Sequence, residues 1–137
     1  MTTKLSQGPV PSVEVEVAWL RQPKLPFEVS LVAATQHTTL VILQGEVDVG
    51  TAPRFRDAVV GAIDDGVGAL VIDLSAVTLI DGLGLGVIVM AARRLGLGAV
   101  AVVLPHRGLV RAFRTCGLDR LLEIYETREL ALHGLLR

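Results

Sequence analysis

Few residues in this chain can do chemistry, and their spacing argues against catalysis. His37, His106 and His133 stand far apart in the 137-residue sequence, without the close spacing that a metal site draws from its ligands. Cys116 is the single cysteine. It cannot form an internal disulfide, which fits a reducing cytoplasm. Its place beside Gly117 on an apolar helix face predicts a buried, inert thiol, with an intermolecular or redox-sensing role as the alternative. The glycine run Gly82-Leu-Gly-Leu-Gly86 invites comparison with a phosphate cradle. A dinucleotide fingerprint needs GxGxxG and an acidic residue about 20 positions on. Here Gly84-Leu85-Gly86 leads to Val89, and residues 100–105 read Val-Ala-Val-Val-Leu-Pro. The GxxxxGK[ST] loop is absent as well. We therefore expect no cofactor, no metal and no enzymatic activity.

What remains is a set of capping and hydroxyl residues. Asp81, just before the glycine run, has the type and position of a helix N-cap. Thr51, ahead of Ala52-Pro53, reads as another, with the proline in the first turn. Asp48 reads as a turn residue that could also contact a partner. Ser75 is expected as a turn or cap just past a strand, and Thr78 as a loop residue. Arg93 and Arg94 read as solvated helix charges, as do Arg107, Arg111 and Arg114, although the last three share one end of the molecule.

The elements that position these residues follow from the pattern. Phe27 to Ala33 alternates like a half-buried strand, and Thr39 to Gly45 looks more central, with Gln36-His37 as the turn between them. Phe55, Val59, Ala62 and Ile63 share one helical face. Ala69 to Leu74 and Ala99 to Leu104 are unbroken apolar runs of the kind buried on both faces, the second stopped by Pro105. Helices are expected from Asp81 to about Leu95, from Gly108 to Cys116 and from Thr127 to Leu136, with a short strand at Glu123 to Tyr125. Strands alternating with helices require crossovers. The expectation is an α/β fold with a four- to five-stranded mixed, largely parallel sheet and about four helices.

Residues 1–26 differ. They hold four of the six prolines, Pro9, Pro11, Pro23 and Pro26, around the alternating stretch Val13 to Leu20. They read as an extension that carries one short strand or stays an unstructured tail; residues 27–137 read as one domain. Hydrophobic residues at 51% and charged residues at 20% suit a packed core. The net charge of -1 gives no general pull toward nucleic acid or anionic lipid. No signal peptide is expected, because the N-terminus lacks a continuous apolar run. The apolar run from Leu83 to Ala92 is far short of the roughly 20 residues that span a bilayer. The expectation is a soluble cytoplasmic protein.

Two separated motifs give the chain a family resemblance. Gly45-Glu-Val-Asp48 is similar to the GE(L/V/I)D turn that follows the second strand of STAS domains. Residues 73–88, Asp-Leu-Ser-Ala-Val-Thr-Leu-Ile-Asp-Gly-Leu-Gly-Leu-Gly-Val-Ile, resemble the family block DLSxVxFIDSSGLGxL. Thr51-Ala-Pro-Arg-Phe55 sits where the family often reads TAPxLR, and residues 108–118 resemble its helix ending in a Gly-Leu pair. The resemblance covers about residues 27–136.

It implies the layered STAS fold and the work of an anti-sigma-factor antagonist, which competes with a sigma factor for a kinase-like anti-sigma partner. The implied partner surface is Asp48, Thr51, Asp81, Gly82, Leu83, Leu85 and Gly86. One departure matters. Phosphorylatable members carry two hydroxyl residues after the aspartate, and the second is the kinase target. Here these positions are Gly82 and Leu83, so the usual site cannot take a phosphate; Thr78 and Ser75 are the substitute candidates. Other readings are a scaffold domain that assembles with other STAS proteins through its N-terminal extension, or as a homodimer, and a small-molecule-binding or enzymatic α/β protein.

Overall fold

The computed structural model describes residues 25–104 and 106–135. The expected strand from Val13 to Leu20 and the strand stop at Pro105 lie outside the described residues. β1 (Glu28–Ala33) and β2 (Thr38–Val47) form an antiparallel hairpin. Its turn is held by Thr35, whose Oγ1 accepts the backbone N–H groups of His37 at 3.2 Å and Thr38 at 3.0 Å. Then follow α1 (Ala52–Asp64), β3 (Ala69–Ile80), α2 (Gly82–Leu95), β4 (Val100–Val103) and α3 (Arg107–Thr115). A 3-10 turn (Leu118–Arg120), β5 (Glu123–Tyr125) and α4 (Arg128–Leu135) complete the order. The strands lie in the order β1-β2-β3-β4-β5, and every pairing after the first is parallel. This is the expected mixed, largely parallel sheet with four helices.

The unbroken apolar strands are explained by cover on both faces. On one face Val41, Leu43, Leu70, Ile72, Val100 and Val102 pack under Phe55 and Val59 of α1, Ile88 and Ala91 of α2, and Phe113 of α3. On the other, Leu40, Val71, Ala101 and Val103 meet Ala131 of α4, flanked by Ile42, Tyr125, Leu132 and Leu135. Gly134 permits that second contact. A Cβ there would overlap the Tyr125 ring and hydroxyl.

Several local expectations are corrected. β2 does not turn at Gly45 but runs on to Val47, with a bulge at which Gly45 takes φ +88. A side chain at that glycine would also strike the Leu25 carbonyl at 2.8 Å. β3 likewise continues past Leu74 to Ile80, because pairing with the end of β2 carries it through a more polar sequence. Ser75 and Thr78 are therefore strand residues, not a post-strand turn and a loop. β1 is an outer strand and is less buried than its alternation implies: Leu31 and Val32 are each 46% exposed. Cys116 is exposed, not buried. It stands at the C-cap of α3, whose one buried residue is Phe113.

Candidate functional site

The site grows from the way β2 and β3 end together. Val47 pairs with Ile80 as the last rung, and the Asp81 N–H donates to the Val47 carbonyl at 3.0 Å. Asp81 is extended, and its Oδ1 accepts the N–H groups of Leu83 at 3.0 Å and Gly84 at 3.1 Å. This satisfies two donors that the first turn of α2 would otherwise leave open. The expected N-cap is present. Gly84 is buried, and a Cβ on it would come within 2.7 Å of both Ile80 and Val47 side-chain carbons. The helix start is thus pressed onto the strand ends at a point where only hydrogen fits. A Cβ on Gly82 or Gly86, by contrast, would meet nothing within 4 Å.

The loop after β2 is built from side chains that fold back. Asp48 Oδ1 accepts from the N–H of Gly50 at 3.0 Å and of Thr51 at 3.2 Å. Thr51 stands at the N-cap of α1, but its side chain makes no cap bond to that helix. Its Oγ1 instead donates to the Glu46 carbonyl at 2.7 Å and accepts the Asp48 N–H at 2.9 Å. Asp48 is the turn residue expected, and Thr51 clamps the turn to β2.

These two loops bring Asp48, Thr51, Asp81, Gly82, Leu83 and Gly86 to the carboxyl end of neighbouring strands. Leu85 faces inward by comparison, half-buried against the main core. Three apolar side chains stand out to solvent here: Val49 at 72%, Leu83 at 54% and Leu79 at 45% exposed. Sequence reasoning misses Val49 and Leu79 as site residues. A valine set between Asp48 and Gly50 in a polar turn is the available signal.

The two substitute hydroxyls differ. Ser75 Oγ donates to Asp73 Oδ1 at 2.5 Å, and its N–H donates to the same oxygen at 2.9 Å. Thr78 is exposed on the β3 extension. Asp73 itself is 2% exposed and pairs with Arg128 of α4. Burial pushes its pKa up, but the Ser75 hydroxyl, the Arg128 guanidinium and the Ser75 N–H outweigh burial and hold it below the ordinary value. His106, ahead of α3, donates from Nε2 to the Ser75 carbonyl at 2.9 Å. Among the described residues no group of three His, Cys, Asp or Glu could hold a metal ion, and no helix is long and apolar enough to cross a membrane.

Comparison with known proteins gives this geometry its context. The sequence profile described as the STAS domain matches residues 30–131. The anti-sigma-F factor antagonist RsfB of Mycobacterium tuberculosis is 32% identical over 107 residues, which are 75% of this chain and 87% of that protein. The crystal structure of an anti-sigma factor antagonist from Mycobacterium paratuberculosis superposes with a TM-score of 0.71 at 28% identity, covering 82% of this chain and 96% of that one. The phosphorylated form of the Bacillus cell fate determinant SpoIIAA shares the fold, with a TM-score of 0.61 at 23% identity, over 80% of this chain and 100% of that one.

Proposed function

Since the chain belongs to the STAS domain family, we propose that it is a non-catalytic protein-binding regulator that engages an anti-sigma factor and so frees a sigma factor for transcription. The observation that carries this reading is the trio of exposed apolar side chains, Val49, Leu79 and Leu83, around a rigidly capped helix start. Solvent-facing apolar side chains on the turn after β2 (Val49), the end of β3 (Leu79) and the first turn of α2 (Leu83) cost hydration that a partner surface would relieve. The names of the mycobacterial relatives support the identity of that partner as an anti-sigma factor.

The partner surface on this reading is Asp48, Thr51, Asp81, Gly82, Leu83 and Gly86, with Leu85 supporting from beneath. Neither Gly82 nor Leu83 has a hydroxyl, so this surface is not switched by phosphate at the usual place. Thr78 is the better substitute of the two hydroxyls, because a phosphate on Ser75 would have to displace the bond to Asp73 and sit beside its carboxylate. A second reading, assembly with other STAS domains or as a homodimer, draws on β1, the outer strand among the described residues, with Leu31 and Val32 exposed.

The test is a release assay. The purified chain is added to preformed sigma–anti-sigma complexes from its own source, and the products are separated by size. A freed sigma factor together with a new complex of this chain and the anti-sigma factor is the expected result. In the same mixture ATP leaves Gly82 and Leu83 unmodified, and the new complex persists. Failure to displace sigma from any of the complexes, with the chain eluting bound to other STAS proteins or to itself, supports assembly instead.

A further inference from the structure

β1 is the outer strand of the sheet among the described residues, and it lacks the devices that guard such strands against pairing. Between Val29 and Ala33 it carries no charge and no proline, and its register with β2 has no bulge. Leu31 and Val32 are each 46% exposed, one on each face. Leu31 pairs with Val41 of the main core, on the side of α1, and Val32 pairs with Leu40 on the side of α4. Beside β1 on the α1 side lies a cavity of about 250 Å³. Its lining includes Leu31, Ala33, Ala62 and Val67, with Gln36, Thr39 and Asp65 as polar members. On the other side α4 packs chiefly on β3, β4 and β5, and Glu28, Ser30 and Val32 stay exposed.

The chain itself contains a segment that matches this edge: residues 13–20, Val-Glu-Val-Glu-Val-Ala-Trp-Leu. It alternates with period two and is rich in valine, the pattern of a strand with one apolar face. Eight extended residues reach about 27 Å, more than the roughly 20 Å of β1. The chain enters β1 at a fixed point. Gln44 Nε2 donates to the Pro26 carbonyl at 3.1 Å, and Arg54 Nη2 donates to the Phe27 carbonyl at 3.3 Å. The Arg54 guanidinium also lies over the Phe27 ring, 4.8 Å from its centroid. Residues 21–24, Arg-Gln-Pro-Lys, supply a polar, proline-containing turn that suits reversal onto the outer side of β1.

Register decides which side chains share a face. In antiparallel pairing the numbers of opposite residues have a constant sum. An even sum sets Val13, Val15, Val17 and Trp19 on the α1 side with Val29, Leu31 and Ala33. An odd sum sets Glu14 and Glu16 there, driving two more carboxylates toward a largely apolar cavity that already holds Asp65. The even register leaves both glutamates on the exposed α4 side.

We propose that residues 13–20 of this chain dock as a sixth strand, antiparallel to β1 and in the even register. The extension then occupies the edge that assembly through β1 would use. The inference does not rest on the anti-sigma reading, and its test needs no partner. Trp19 is the single tryptophan of the sequence, so its fluorescence reports on this segment alone. In the full chain its emission should be blue-shifted, and its acrylamide quenching several-fold weaker, relative to the chain in denaturant. Both signals should persist on dilution of a species that light scattering shows to be a monomer. Val15→Glu/Val17→Glu should lose both signals while keeping the circular dichroism of the folded domain. Glu14→Gln/Glu16→Gln, on the exposed side, should retain them. Hydrogen exchange gives a second readout. The β1 amides that point away from β2 should be protected in wild type and exchange at least about tenfold faster in Val15→Glu/Val17→Glu. The proposal is overturned if Trp19 is quenched alike in the native and denatured chain, or if Val15→Glu/Val17→Glu keeps the wild-type signals. Protection that vanishes on dilution together with a dimer overturns it too, and gives the edge to a second copy.

Discussion

At Asp73 a carboxylate is kept charged in a place that offers it almost no water. Burial opposes the charge, and the Ser75 hydroxyl, Arg128 and the Ser75 N–H together reverse that opposition, so the folded pKa lies below the unfolded one. A depressed carboxylate stabilises the fold above its unfolded pKa, about 3.9, and the contribution is lost as pH falls through the folded value. Asp73→Asn should therefore lower stability by about 1–3 kcal/mol at pH 7. In denaturant titrations across pH, the gap from wild type should be flat above about pH 5 and shrink below about pH 4. A gap that stays constant down to pH 2 contradicts the role given to its charge. Cys116 yields a second residue-scale prediction. Being exposed, it should react with a thiol reagent in the folded protein within about tenfold of its rate in denaturant. Strong protection on folding would return it to the core. Neither residue is legible in the sequence. The pairing of Asp73 with Arg128 spans 55 positions, and the exposure of Cys116 depends on α3 burying little beyond Phe113.

At the scale of elements, the start of α2 contrasts glycines that look alike in sequence. Gly84 sits where a methyl would meet Val47 and Ile80 at 2.7 Å, whereas Gly86 faces open space. Gly84→Ala should destabilise by about 1–3 kcal/mol through overpacking. Gly86→Ala should stabilise by about 0.8–1 kcal/mol, the difference in helix propensity. Thermal melts of the two variants check the signs, and equal shifts would mean that α2 does not press on the strand ends as described. If the helix start docks a partner, the Gly86 variant should also bind it more weakly despite its greater stability. The cap at Asp81, the helix after it and the buried runs in β3 and β4 are readable, because capping and double-faced burial leave local marks. The reach of β2 to Val47 and of β3 to Ile80 is not. Those residues hold strand geometry through their pairing with each other, and no single segment shows that it has a neighbour.

At the scale of the whole molecule, a sheet covered on both faces leaves its carboxyl edge as the place where loops can be varied without disturbing the core. That edge carries the capped start of α2 with Val49, Leu79 and Leu83. The fold is legible from the alternation of strands and helices, and the end of the sheet proposed to carry function follows from the motifs around Asp48 and Asp81. What those motifs cannot give is which side chains face solvent, since this is set by packing across loops. Leu83 tests the account most directly. It is 54% exposed at the first turn of α2, where a carboxylate is tolerated or favoured by about 0.3–1 kcal/mol. The decisive measurement pairs thermal melts with titration of Leu83→Glu against the anti-sigma factor recovered in the release assay. The prediction is a melting temperature near that of wild type, with binding weakened by about 2 kcal/mol or more, roughly thirtyfold in Kd, because the new carboxylate is buried unpaired in the interface. A folded Leu83→Glu protein that binds as tightly as wild type would contradict the claim that this helix start is the docking surface.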